Sequence, residues 1–285
     1  MLMRGSVTEL TKDDRGAHAI VGSHGGARSG FHAASCEVAS LICHDAGVGM
    51  DEAGVAALGI LERFGMPAAA VSHESAHIGD PQDMFDRGII SWINEPGTKA
   101  GLVRGMRVRA ACAVLEGYRS GHAAPTSADH VGAEFRRQRI PVNTTSGSML
   151  IVVVDSASSV NEEDDGAIVV TGSHGGLPGG AAERALKARP LLVAFNDAGI
   201  GLDNAGISRL PVLGAMGIAA ICVSGDSARI GDGLSTYQTG VVSVANDTAR
   251  ALGARTGMPL IDLVSSLAAR PVSHQTSAAS RTPFK

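Results

Sequence analysis

Short uninterrupted apolar runs, each closing in a glycine-rich loop and followed by a longer stretch with helical spacing, recur along the chain. In the second half the runs fall at 150–154, 167–171, 191–195 and 218–223. Runs this short and this apolar read as strands buried on both faces. Their alternation with amphipathic stretches predicts βαβ units and a mainly parallel sheet. Val241, Val242, Val244, Ala245, Thr248, Ala249 and Leu252 recur at helical spacing and predict a further helix, ended by Gly253 and Gly257. Residues 181–188 predict another, directly after a glycine-rich loop.

The pattern occurs twice. AHAIVGSHGG at 17–26 returns as AIVVTGSHGG at 167–176, DAGVGMD at 45–51 as DAGIGLD at 197–203, and SHESAHIGD at 72–80 as SGDSARIGD at 224–232. The first offset is 150 residues and the other two are 152. Two copies at so long a period exclude a solenoid. The expected fold class is therefore α/β and internally duplicated, with two similar βαβ lobes related by a pseudo-twofold. The expected domains are a first repeat at 1–115, a linker or lid at 116–150, a second repeat at 151–267 and a flexible tail at 268–285. Within the connecting segment, His122, His130 and the run Arg136, Arg137, Gln138, Arg139 read as an exposed linker, or as a lid lending a cation to an acidic substrate.

Composition narrows the function. With 44% hydrophobic and 18% charged residues the chain is globular, and a net charge of −4 with one Trp, two Tyr and six Phe supplies neither a basic field nor a stacking platform for nucleic acid. Cys36, Cys43, Cys112 and Cys222 show no C-x-x-C spacing and read as buried thiols in a reducing compartment. The polar N-terminus is unlike a signal peptide, and no apolar run approaches the ~20 residues that span a bilayer. A cytoplasmic homo-oligomer acting on a small polar or acidic molecule, without nucleic acid or membrane, is expected.

All three repeated motifs begin where an apolar strand ends, so parallel strands bring them to one carboxyl edge, the place where open α/β sheets bind ligands. In GSHGG, Ser23 and Ser173 are candidate nucleophiles or ligand contacts, and His24 and His174 candidate general bases or orienters. The N–H groups of Gly25, Gly26, Gly175 and Gly176 are candidate oxyanion donors. A loop histidine at a sheet edge is expected to support little packing. Asp45 and Asp197 suit the orientation of a histidine, whereas Asp51 and Asp203 read as caps of the following helix. A strand, a Ser-His-Gly turn and a second strand ending in Asp-Ala resemble the caspase-like peptidase fold over about a third of each copy. The cysteine that follows the second strand there is absent, with Ala46 and Ala198 near its place, so that reading is not adopted.

The third loop holds His73, Glu74, Ser75, Ala76 and His77, literally H-E-x-x-H, the zinc-binding helix pattern of metalloproteases. Its counterpart Gly225, Asp226, Ser227, Ala228, Arg229 follows a strand and precedes Gly231, so no long helix is expected there, and no third ligand follows at the required spacing. The metalloprotease reading is rejected. A zinc or manganese ion held by His44, His73 and His77 is the remaining metal hypothesis, and no cofactor is the favoured reading. Glu74, Asp226, Ser227 and Arg229 are expected to bind ligand, Arg229 through its planar fork. The sequence thus reads as a small-molecule hydrolase, with an amide-type C–N bond as its expected target. Its rivals are a lyase or isomerase using the same acid-base groups and a non-catalytic anion-binding module.

Overall fold

The computed structural model describes residues 1–118, 134–144 and 147–269. His122, His130 and the tail from 270 onward lie outside them. In the first half β1 (Leu2–Arg4), β2 (His18–His24), β3 (Ser40–His44), β4 (Ala68–Val71) and β5 (Ile90–Ile93) form one sheet in sequence order. Pairing is parallel up to β4, and β5 returns antiparallel at the edge. Helices α1 (Ala27–Ser35), α2 (Ala56–Arg63), α3 (Pro81–Arg87), α4 (Glu95–Lys99) and α5 (Val108–Gly117) fill the connections.

The second half contributes β6 (Arg137–Thr144), β7 (Gly147–Val154), β8 (Ile168–His174), β9 (Leu192–Asn196), β10 (Ala219–Val223) and β11 (Val242–Ala245). They form a six-stranded sheet ordered β11-β10-β9-β8-β7-β6, parallel from β7 to β10 and antiparallel at both edges. Its helices are α6 (Arg209–Ala215), α7 (Gly233–Thr239), α8 (Asp247–Ala251) and α9 (Leu260–Ala268). The molecule is thus α/β with two mixed, mostly parallel sheets. No helix among the described residues is long and apolar enough to cross a membrane.

Both faces of each sheet are covered, which is why the strands read as unbroken apolar runs. On β2, Ala19 and Val21 enter one cluster and Ile20 the other; on β9, Leu192 and Ala194 face away from Val193 and Phe195. A smaller cluster of Ala46, Ala53, Ile78, Ala198, Ala205 and Ile230 draws on both halves.

Four local expectations are corrected. The helix expected over 241–252 is a strand followed by a short helix, because Asn246 ends the strand by bonding Ala220 N at 3.1 Å and caps α8 through Ala249 N at 2.9 Å. Residues 181–188 form no α-helix. Pro178 is followed by Gly179 and Gly180 at φ +57° and +68°, and only short 3₁₀ turns at Pro178–Gly180 and Ala182–Arg184 result. Asp51 and Asp203 are not helix caps: both have left-handed backbone, at φ +53°, and their carboxylates reach across to the other half. Part of the expected linker forms β6. Among the described residues its arginines are paired at home, Arg136 with Asp155 and Asp232, Arg137 with Asp164, and Arg139 with Glu163, so none of these three is left free for a substrate.

Candidate active site

β2 and β8 end in the two GSHGG turns, and the strands carry His24 and His174 to the junction between the halves. Their rings meet edge to face with centroids 6.5 Å apart. Both are buried, at 8% and 7% exposure, which corrects the expectation of loop histidines that support little packing. Gly26 N donates to His24 Nδ1 at 3.1 Å and Gly176 N to His174 Nδ1 at 3.2 Å. An acceptor at Nδ1 places the proton of the neutral ring on Nε2, so each histidine presents an N–H donor. Burial, reinforced by nearby His44, lowers His24 to about 4. Burial, then the charge of Arg209, then His24 and His44 lower His174 well below its ordinary value. Both rings are therefore neutral at pH 7.

The glycine N–H groups are occupied within the chain. Gly25 N donates to His44 O and Gly175 N to Asn196 O, while Gly26 and Gly176 serve the imidazoles. The donors aimed outward are thus the imidazoles themselves. Each ring is packed by a glycine from the other half's third loop: a Cβ on Gly231 would come within 3.0 Å of His24 Cε1, and one on Gly79 within 3.4 Å of His174 Cε1.

Ser23 Oγ accepts from Val7 N at 3.0 Å and Ser173 Oγ from Ala157 N at 2.9 Å, so each hydroxyl keeps its hydrogen free to donate. These bonds tie the histidine turns to two short 3₁₀ turns capped by Ser6 and Ser156. Ser23, Ser173, His24 and His174 all line a small polar cavity of about 40 Å³. A larger cavity of about 550 Å³ shares His174, Ser173, Ser156 and Thr8 with it and is floored by Arg209. Sequence reasoning missed Arg209 and the two serine turns. The available signals were a cation where the first half has Ala57, and the recurrence of Ser-Val-Thr at 6–8 as Ser-Ala-Ser at 156–158.

Asp45 and Asp197 serve mainly to hold backbone. Asp45 Oδ1 accepts from Gly47 N, His73 N and His73 Nδ1, at 3.1, 2.9 and 3.1 Å, and Ser91 Oγ donates to Oδ2 at 2.8 Å. Burial pushes Asp45 up, but the bonds from His73 and Ser91, with His44 nearby, keep its carboxyl below the usual value. His73 is raised, chiefly by its bond to Asp45. Asp197 Oδ1 accepts from Gly199 N and Gly225 N, at 3.0 and 2.9 Å. His44 Nδ1 accepts a hydrogen bond from Ala46 N, and its Nε2 faces Ala76 O, both at 3.1 Å.

The third loops cross between halves. His77 Nε2 lies 2.8 Å from Asp203 Oδ2, and Arg229 Nε 2.7 Å from Asp51 Oδ2. Arg229 and His77 thus face carboxylates of the opposite half. Glu74 and Asp226 are exposed, while Ser227 Oγ bonds Ser224 O and Val241 N to brace its loop. His44, His73 and His77 point to Ala76 O, Asp45 and Asp203 respectively. Among the described residues no three His, Cys, Asp or Glu side chains converge as a metal site.

Compared with known proteins, the chain matches no family model, no curated sequence and no solved structure, so the functional reading rests on this geometry.

Proposed function

We propose that the chain is an enzyme acting on a small polar or acidic molecule by hydrolysis, with a C–N bond as the preferred target, at the cavity between His24 and His174. The observation that carries this reading is the pair of buried neutral imidazoles whose Nδ1 atoms are fixed by glycine N–H groups and whose Nε2–H edges remain for a ligand. Preorganised neutral donors in a water-poor site stabilise the negative charge that develops on a carbonyl oxygen under attack. In this reading Ser173, whose Oγ accepts from Ala157 N and keeps its hydrogen free, is the substrate contact. The roles expected of glycine N–H groups pass to His24 and His174. The two halves are read as copies of one unit arranged about an approximate twofold, supported by equivalent bonds within each half, Gly25 N to His44 O and Gly175 N to Asn196 O, and by reciprocal bonds between them, Met50 N to Gly225 O and Leu202 N to His73 O.

The test is a screen of small amides and esters in ¹⁸O-labelled water with wild type, His174→Ala and His174→Asn, their folding checked by circular dichroism. Label in the product, lost with His174→Ala and partly kept with the N–H-bearing His174→Asn, is the expected result. Turnover without label makes the enzyme a lyase or isomerase, and undiminished turnover by folded His174→Ala removes the histidine from the chemistry.

A further inference from the structure

Arg209 begins α6 and is only 4% exposed. Its guanidinium stacks over the Phe195 ring at 4.6 Å, and Nε and Nη2 both donate to Gly176 O, at 3.2 and 2.8 Å. Among the described residues no carboxylate lies within 4.0 Å of it. One edge of the fork is thereby used on a single carbonyl, leaving Nη1 and the outer hydrogen of Nη2 without a partner in the chain. Burial draws its pKa down to about 10, which still leaves it charged at pH 7. A buried cation without a counter-charge is costly, and side chains of this kind are ordinarily paired.

The first half shows why the cation has room. Ala57, 152 residues before Arg209, makes the same backbone bond, from its N to Gly25 O, as Arg209 N makes to Gly175 O. There α1 lies directly over the position: a Cβ on Gly30 would sit 2.9 Å from Ala57 Cα. In the second half Pro178, Gly179 and Gly180 prevent the equivalent helix. In its place is the cavity of about 550 Å³, with Arg209 and His174 at its base and Arg184 and Lys187 among its lining. That volume suits a small metabolite. Glu9 and Glu183 also border it, both exposed and away from the buried cation's contacts.

We propose that this cavity binds the oxyanion group, carboxylate or phosphate, of a small molecule, with Arg209 as the charge that recognises it and the hydroxyls of Ser158 and Ser173 as neighbouring donors. The inference deepens the reading above, since this cavity adjoins the one between the two imidazoles and shares His174 and Ser173 with it, and it makes the second half the binding half. Bidentate pairing of a guanidinium fork with an oxyanion is among the strongest polar contacts available.

The test measures binding of inorganic phosphate and of malonate separately, by calorimetric titration and thermal shift at constant ionic strength set with sodium chloride. Saturable binding of at least one probe to wild type is expected; phosphate alone indicates a phosphate ester, malonate alone a carboxylate. Arg209→Met should weaken Kd by roughly 30-fold or more, the equivalent of about 2 kcal/mol. Arg109→Met, at an exposed arginine that pairs with Asp86 and does not line the cavity, should leave it unchanged. Exposed Ser158→Glu places a carboxylate beside the cation and should abolish binding even if Arg209→Met does not fold. No saturable binding to wild type, or full binding by folded Arg209→Met or by Ser158→Glu, overturns the proposal. Because no turnover is read, anion binding without hydrolysis defeats only the hydrolase reading, and hydrolysis without anion binding defeats only this one.

Discussion

His44 and Asn196 end β3 and β9 with the same two bonds made by different chemistry. Asn196 Oδ1 accepts from Ala198 N at 2.9 Å and Nδ2 donates to Ala228 O at 3.0 Å, matching the reach of His44 to Ala46 N and Ala76 O. An amide is therefore an adequate stand-in for this imidazole. His44→Asn should change stability by less than about 1 kcal/mol in urea unfolding, whereas His44→Ala leaves two buried backbone groups unpaired and should cost about 1–3 kcal/mol more. Equal losses would show that packing, not bonding, matters at His44. Sequence marked His44 as a candidate ligand because residue type is visible and hydrogen-bond direction is not. His24 carries a pH dependence of defined sign. Its pKa falls from 6.5 unfolded to about 4 folded, so between those values the unfolded chain binds the extra proton. Stability is greatest above pH 6.5 and is lost as pH falls toward 4, by about 3 kcal/mol from this group. His24→Asn should lose correspondingly less between pH 7 and 4 in parallel urea titrations, and a slope identical to wild type would mean that His24 titrates alike in the folded and unfolded chain.

At the scale of elements, the parallel strands were legible because two-sided burial writes itself as an unbroken apolar run, and β7 to β10 fall close to the runs at 150–154, 167–171, 191–195 and 218–223. The antiparallel edge strands were not. β11 is a four-residue strand whose Val and Ala positions also fit a helical period, and only the Asn246 cap divides it from α8. β6 lies at a sheet edge, where Pro141 is tolerated, and its arginines give it the look of a solvated linker. Loop geometry makes a sharper prediction. Gly231 has φ +83° and a Cβ there would meet His24 Cε1 at 3.0 Å, so Gly231→Ala should destabilise by about 1–3 kcal/mol. Gly59, inside α2 with open space at its Cβ position, should behave oppositely, Gly59→Ala stabilising by about 0.5–1 kcal/mol. Thermal unfolding of both variants checks the pair, and a neutral Gly231→Ala would mean that the third loop is not held against His24.

For the molecule as a whole, the question is what holds the two halves together, which no repeat in the sequence could disclose because equal motifs do not say whether they touch. The left-handed turns at Gly47 and Gly199 meet back to back: a Cβ on Gly47 would lie 2.8 Å from Gly199 Cα, and one on Gly199 2.9 Å from Gly47 Cα. Around them run the Met50–Gly225 and Leu202–His73 backbone bonds, both 2.8 Å, and the shared apolar cluster that includes Ile78 and Ile230. Outside these lie the crossed pairs Arg229–Asp51 and His77–Asp203, with both carboxylates more than half exposed. Solvated pairs of this kind contribute little to stability, so the buried seam must carry the docking and the halves should unfold together. Scanning calorimetry of wild type should then show one transition with matching calorimetric and van't Hoff enthalpies. Gly47→Val adds a branched side chain at φ +71° and drives it into Gly199. It should lower the midpoint and split the transition in two, whereas Asp203→Asn should leave the midpoint close to that of wild type and keep one transition. An unsplit Gly47→Val at the wild-type midpoint, or an Asp203→Asn as damaging as Gly47→Val, would place the docking energy in the ion pairs and make it strongly dependent on salt.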